Sequence, residues 1–167
     1  MSVATSTGLQ IFDRIVCGVD GSPESLEAAH QAERLRSPEG TLRLAAVTDV
    51  KVAVHAGYAM SHVLEELDAT AREGLRRAVE EVHPTSSRLL AGDPVPCLLD
   101  EIEQADASLV ALGPRGHSRA AGMILGGVAT EVLHRAPCSV LFARAARRDD
   151  FPSSILVGLV ADDRDLA

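Results

Sequence analysis

The amino-acid sequence predicts an α/β fold, an open, doubly wound sheet of five parallel strands with helices on both faces. Three observations carry this reading. Five short runs rich in Val, Leu and Ile recur along the chain, and several are apolar on both faces, as buried parallel strands are. The longer stretches between them repeat with helical periodicity, and helix-start signals open them. Alternation of this kind, βαβαβαβαβ, forces parallel strands joined by right-handed crossovers.

In chain order, the first strand is "RIVCGVD" (14–20), and Ser22-Pro23 opens the first helix with a hydroxyl N-cap followed by proline at the first helical position. The second strand is "TLRLAAVTDV" (41–50). A long helix follows over 61–82, where Leu64, Leu67, Ala71, Leu75, Ala78 and Val82 line one face. Asp68/Arg72, Glu73/Arg77 and Arg77/Glu81 are spaced to pair on the other. "SSRLLAG" (86–92) is the third strand, and Asp93-Pro94 repeats the capping device before Val95, Leu98, Leu99 and Ile102. "ASLVALG" (107–113) and "CSVLFAR" (138–144) are the fourth and fifth strands, with Gly126-Gly127 ahead of a helix marked by Val128, Val132 and Leu133.

Composition limits the function classes. A chain of 167 residues, 46% of them hydrophobic, builds one domain with a core of its own. The cysteines Cys17, Cys97 and Cys138 are odd in number, far apart and set in apolar runs, which argues against a disulfide framework and for a reducing cytoplasm. A net charge of −8 and the absence of Trp leave neither a basic face nor stacking platforms for nucleic acid. The longest nearly apolar run, 120–129, is far too short to span a membrane.

In doubly wound sheets, ligands bind outside the carboxyl ends of the strands, where the winding direction reverses. Two strand ends here carry glycine, "VDGS" (19–22) and "GPRG" (113–116). If the first and fourth strands are neighbours, both loops open into one crevice. The glycine-rich stretch "GPRGHSRAAGMILGGVAT" (113–130) then runs into a helix N-terminus, a site suited to phosphate. Arg115, His117 and Arg119 add positive charge there or are simply solvated. Asp20 either caps the turn after its strand or accepts from a ribose hydroxyl, and Asp49, at the end of the second strand, poses the same alternative. Neither GxxxxGK[ST] nor GxGxxG is present; the motif that does occur is Gly113-x2-Gly116-x9-Gly126 between a strand and a helix.

The opening "IVCGVDGSPESLEAA", the "GDP" before the third helix, and "ASLVALGPRG…LGGVATEVLHRAPCSVLFA" together resemble the universal stress protein family, in order and across residues 13–143. The resemblance implies the strand order 3-2-1-4-5, an adenine nucleotide alpha-hydrolase-like sheet, and a division into members that bind ATP and members that do not. It implies that Val19, Asp20 and Val47 hold adenine and ribose. The phosphates then lie on the glycine motif, Gly113, Gly116, Gly126, Gly127 and Val128, and Arg115 and His117 of the same loop are the charged side chains expected to join it. The ligand it implies is ATP, with AMP and ADP as alternatives and Mg²⁺ carried by the nucleotide.

One departure is informative. The binding pattern ends in Ser or Thr, where this chain has Gly127, and the next hydroxyl position is Ala129. Losing a hydrogen bond to a charged group costs about 1.5–3 kcal/mol, which weakens binding without abolishing it. Two readings therefore stand: a nucleotide-binding stress or signalling module, and a nucleotide-free dimeric interaction protein of the same fold. No catalytic constellation is expected, since His30, His55, His62, His83, His117 and His134 are scattered without metal-ligand spacing.

The ends complete the expected organisation: a flexible segment over 1–12, a charged linker over 144–153, and an added strand over 154–167. "FPSSILVGLVADDRD" there resembles the start of the domain, so this segment is either an extra strand or the start of a second copy. The expected partner is a second copy of the chain, paired through the fifth-strand edge (Cys138–Ala143) and the C-terminal strand. The apolar stretch "DVKVAVHAGYAM" (49–60) is either a lid over the adenine or packing at the sheet edge.

Overall fold

The computed structural model describes residues 11–51, 60–115 and 125–144. Among these residues five strands and four helices alternate: β1 (Phe12–Gly18), α1 (Pro23–Leu35), β2 (Arg36–Asp49), α2 (Met60–Val82), β3 (Ser86–Gly92), α3 (Pro94–Gln104), β4 (Leu109–Leu112), α4 (Gly127–Arg135) and β5 (Ser139–Phe142). The strands form one five-stranded sheet in the order β3-β2-β1-β4-β5, with every pairing parallel. This is the expected doubly wound topology. The expected added strand over 154–167 and the apolar stretch over 52–59 lie outside the described residues.

The period-2 alternation of the strands divides the core between the two faces. Ile15 and Cys17 of β1, with Leu42, Leu44 and Ala46 of β2, face α1 and α2, where Ala28, Ala32, Ala71, Ala78 and Val82 are buried. Val16, Ala45 and Val110 face the other way, against Val95, Leu98, Leu99 and Ile102 of α3 and Val132 of α4. All four residues of β4 are buried, as a central parallel strand requires.

Local signals act where expected. Ser22 is the N-cap of α1, its hydroxyl accepting from the Ser25 N–H at 3.1 Å, with proline just inside the helix. Asp93 caps α3 through a bond from the Val95 N–H at 3.4 Å. Three expectations need correction. The second strand starts at Arg36, not Thr41: the register with β1 shifts between Phe12 and Arg14, and Gly40 sits in this irregular stretch. A Cβ there would lie 3.0 Å from the carbonyl oxygens of Phe12 and Asp13. Glu73 pairs with Arg76 at 2.6 Å, not with Arg77, which turns to Glu81 at 3.0 Å; the Arg76 guanidinium also reaches Glu80 at 2.5 Å. The N-cap of α4 is Gly126, so Gly127 is already the first helical residue.

Candidate functional site

β1 and β4 are adjacent in the sheet and lead to helices on opposite faces, so the chain leaves their carboxyl ends in opposite directions. A cleft of about 660 Å³ opens there, in the range of small-molecule sites. Its floor is made by strand ends, including Val19, Ala45, Val47 and Leu112. Leu67, Thr70 and Ala71 of α2 form one wall, and Pro94 and Leu98 of α3 stand on the other.

Of the residues singled out from sequence, Val19, Asp20, Val47, Gly113, Arg115, Gly126, Gly127 and Val128 all line this cleft, as does Asp49. Gly116, His117 and Arg119 lie outside the described residues. Leu67 and Ala71 of α2 and Leu98 of α3 are not marked as site residues by the sequence, because they are indistinguishable from the stripes that bury those helices against the sheet, and Thr70 reads as an exposed polar residue. Pro94 could have been noticed, since it follows the cap at the carboxyl end of β3.

The two carboxylates of the cleft are held by turns. Asp20 Oδ1 accepts from the Ser22 N–H at 2.9 Å, and the Asp20 N–H donates to Ser25 Oγ at 3.3 Å. Asp49 Oδ1 accepts from the Lys51 N–H at 2.9 Å. Capping a turn and lining the cleft are therefore compatible roles for both. Beside the α3 wall, Lys51 Nζ pairs with Asp93 Oδ2; the ammonium holds the Asp93 carboxyl below its ordinary range, and the carboxylate pushes the lysine above its own.

The glycine end of the cleft is a helix start. Gly126 has no side chain with which to cap α4, and the Thr130 N–H makes the first intrahelical bond, to the Gly126 carbonyl at 2.9 Å. The N–H groups of Gly127, Val128 and Ala129 thus have no intrahelical acceptor, and the positive end of the helix dipole lies with them at the cleft. Arg115 supplies a cation at the same end. This arrangement favours an anion, while the opposite end offers apolar surface for a flat ring and carboxylates that can accept from hydroxyls. Among the described residues, no group of three or more His, Cys, Asp or Glu side chains could hold a metal ion, and no helix is long and apolar enough to cross a membrane.

Comparison with known proteins agrees with this architecture. A family model described as the universal stress protein family matches residues 11–144. The chain is 27% identical over 153 residues to universal stress protein MJ0531 of Methanocaldococcus jannaschii, covering 85% of this chain and 88% of that protein. It is 33% identical over 134 residues to universal stress protein Rv2005c of Mycobacterium tuberculosis, covering 78% of this chain but only 45% of that longer relative. Among solved structures, the fold is similar to that of the protein MJ0577, with a TM-score of 0.67 at 15% identity over 80% of this chain and 96% of the other. A universal stress protein solved in complex with cAMP is similar with a TM-score of 0.53 at 24% identity, over 81% of this chain and 98% of its own.

Proposed function

Because the chain belongs to the universal stress protein family, we propose that it binds an adenine nucleotide, ATP or AMP, in the cleft at the β1–β4 switch point, in a stress-response or signalling role in the cytoplasm. The observation that carries this reading is the convergence of Asp20 and the uncapped start of α4 in one cleft, with the apolar strand ends between them. In this arrangement the phosphates lie on the Gly127–Ala129 N–H groups and Arg115, a ribose hydroxyl donates to Asp20, and the base lies against Val19 and Val47. Mg²⁺ arrives with the nucleotide. The cAMP found with a related protein is itself an adenine nucleotide, which supports the ligand class.

The role we propose is binding, with ATP hydrolysis at most slow. Hydrolysis would require a base positioned on an attacking water together with a held metal, and the carboxylates that line the cleft, Asp20 and Asp49, stand singly at the ends of two different strands. β5 lies at a sheet edge, and we take that edge as the contact with a second copy of the chain.

A second reading is favoured by one specific feature: Gly127 and Ala129 bring no hydroxyl to the phosphate end, which fits a nucleotide-free dimeric interaction protein. Equilibrium dialysis against ATP and AMP separates the two. Saturable uptake of either supports the nucleotide reading, and none from either, with the protein folded, leaves the interaction reading.

A further inference from the structure

The long helix α2 carries a buried glycine in its interior, Gly74, at a position where alanine would be the better helix former. A Cβ at Gly74 would stand 2.7 Å from the backbone nitrogen of Gly21, 2.8 Å from its Cα and 3.2 Å from the carbonyl carbon of Asp20. All three are main-chain atoms, which cannot swing aside as the end of a side chain would. Gly21 itself has a φ of +85°, in the left-handed region, so the turn has little freedom to adopt another shape with the same ends. Just beyond the turn, a Cβ at Gly113 would stand 3.0 Å from the Ser25 nitrogen and 3.1 Å from the Glu24 carbonyl carbon. The turn that carries Asp20 is thus seated on Gly74 of α2, and the first turn of α1, which follows it directly, is seated on Gly113 at the end of β4.

We propose that Gly74 is a positioning residue of the cleft: by letting α2 touch the main chain at Gly21, it sets where the Asp20 carboxylate stands and so governs selection for ribose hydroxyls. This rests on the nucleotide reading above. A methyl group at this position lifts the turn off α2 and carries Asp20 with it, while the α4 start, tied to Pro114 and not in contact with Gly74, stays in place.

The test is calorimetric titration of the wild type and Gly74→Ala with Mg-ATP and with Mg-2′,3′-dideoxy-ATP, which lacks both ribose hydroxyls. The wild type is expected to prefer ATP about 10-fold. Gly74→Ala is expected to lose that preference through weaker ATP binding, with dideoxy-ATP affinity changed less than about 2-fold. Asp20→Ala should do the same, and adding Gly74→Ala to it should have no further effect on the preference. If Gly74→Ala binds ATP and keeps the preference, Gly74 does not position Asp20, although the nucleotide reading stands. A wild type that binds both nucleotides equally overturns the ribose role of Asp20 and this proposal together. A wild type that binds neither overturns the nucleotide reading itself. Should Gly74→Ala fail to fold, amide exchange of the wild type decides: slower exchange at Gly21 with ATP than with dideoxy-ATP supports the proposal, and identical exchange with both overturns it.

Discussion

The backbone N–H of Gly126 donates to the carbonyl of Pro114 at 2.8 Å. This bond joins the loop that leaves β4 to the residue that caps α4, so the two ends of the intervening glycine-rich stretch are held together whatever that stretch binds. It also uses the Gly126 N–H, leaving the phosphate end to the three N–H groups that follow.

Gly127 is the place to test that end. Among the described residues a Cβ there would meet nothing within 4 Å, and Gly127 is the first residue of α4 with Gly126 as its cap, so a side chain is accommodated by all of them. Gly127→Ser should fold like the wild type and bind Mg-ATP about 10-fold more tightly by adding a hydroxyl to the phosphate site. A capping gain belongs to Gly126→Ser, where replacing glycine by serine at the N-cap is worth only a few tenths of a kcal/mol. Calorimetry with no heat from either the wild type or Gly127→Ser would sink the phosphate-site assignment.

Glu101 is buried, its side chain 3% exposed, and bonds to Arg43 of β2 at 3.0 Å and Arg88 of β3 at 2.7 Å. It fastens α3 to two strands across the face opposite α1 and α2. Glu101→Ala removes the shared acceptor and leaves two guanidiniums facing a cavity. Breaking a buried pair costs about 3–5 kcal/mol, and the lower end applies because both arginines keep contact with water. Urea denaturation should show a loss of about 3 kcal/mol. A change under about 1 kcal/mol would mean that the arginines find other partners at no cost.

The strand alternation was legible in sequence because burial on both faces demands uninterrupted apolar runs, as in Leu109–Leu112. The caps at Ser22 and Asp93 were legible because their chemistry is local. What escaped depends on tertiary contact. The start of β2 at Arg36 rests on its pairing with Phe12 across an irregular register. Leu67, Ala71 and Leu98 read as core, yet the sheet's switch point turns them into cleft walls. Gly74 gave no signal, because its reason lies in a turn that is distant in sequence.

Cys17 is fully buried in β1, and burial pushes its thiol up to about 12. Cys97 and Cys138 are half-buried, with thiols also raised chiefly by burial. Near neutral pH a thiol-specific disulfide reagent should therefore leave Cys17 unmodified in the folded protein and modify it fully in denaturant, with the other two reacting slowly. Rapid labelling of Cys17 under native conditions, read by peptide mass, would show that β1 opens readily.

Acid sensitivity follows from the ion pairs. Asp68, Glu73, Glu81 and Asp93 are held below their ordinary carboxylate range, chiefly by hydrogen bonds from Arg72, Arg76, Arg77 and Lys51 respectively. A carboxylate whose folded pKa lies below its unfolded value adds stability that is full above the unfolded value and is lost as pH falls through the folded one. Lys51 has the opposite sense: its raised pKa adds stability that is full below the ordinary lysine range and is lost as pH rises through the raised value. Melting temperature should therefore fall on acidification from about pH 7 to about pH 3, and again at strongly alkaline pH. The pairs at Arg72, Arg76 and Lys51 are well exposed, so about 1 M salt should shrink the acid-dependent part. Lys51→Met removes the partner that lowers Asp93 and should make the acid loss smaller than in the wild type. A melting temperature that rises on acidification, or an acid loss unchanged in Lys51→Met, would show that these pairs do not contribute as their geometry indicates.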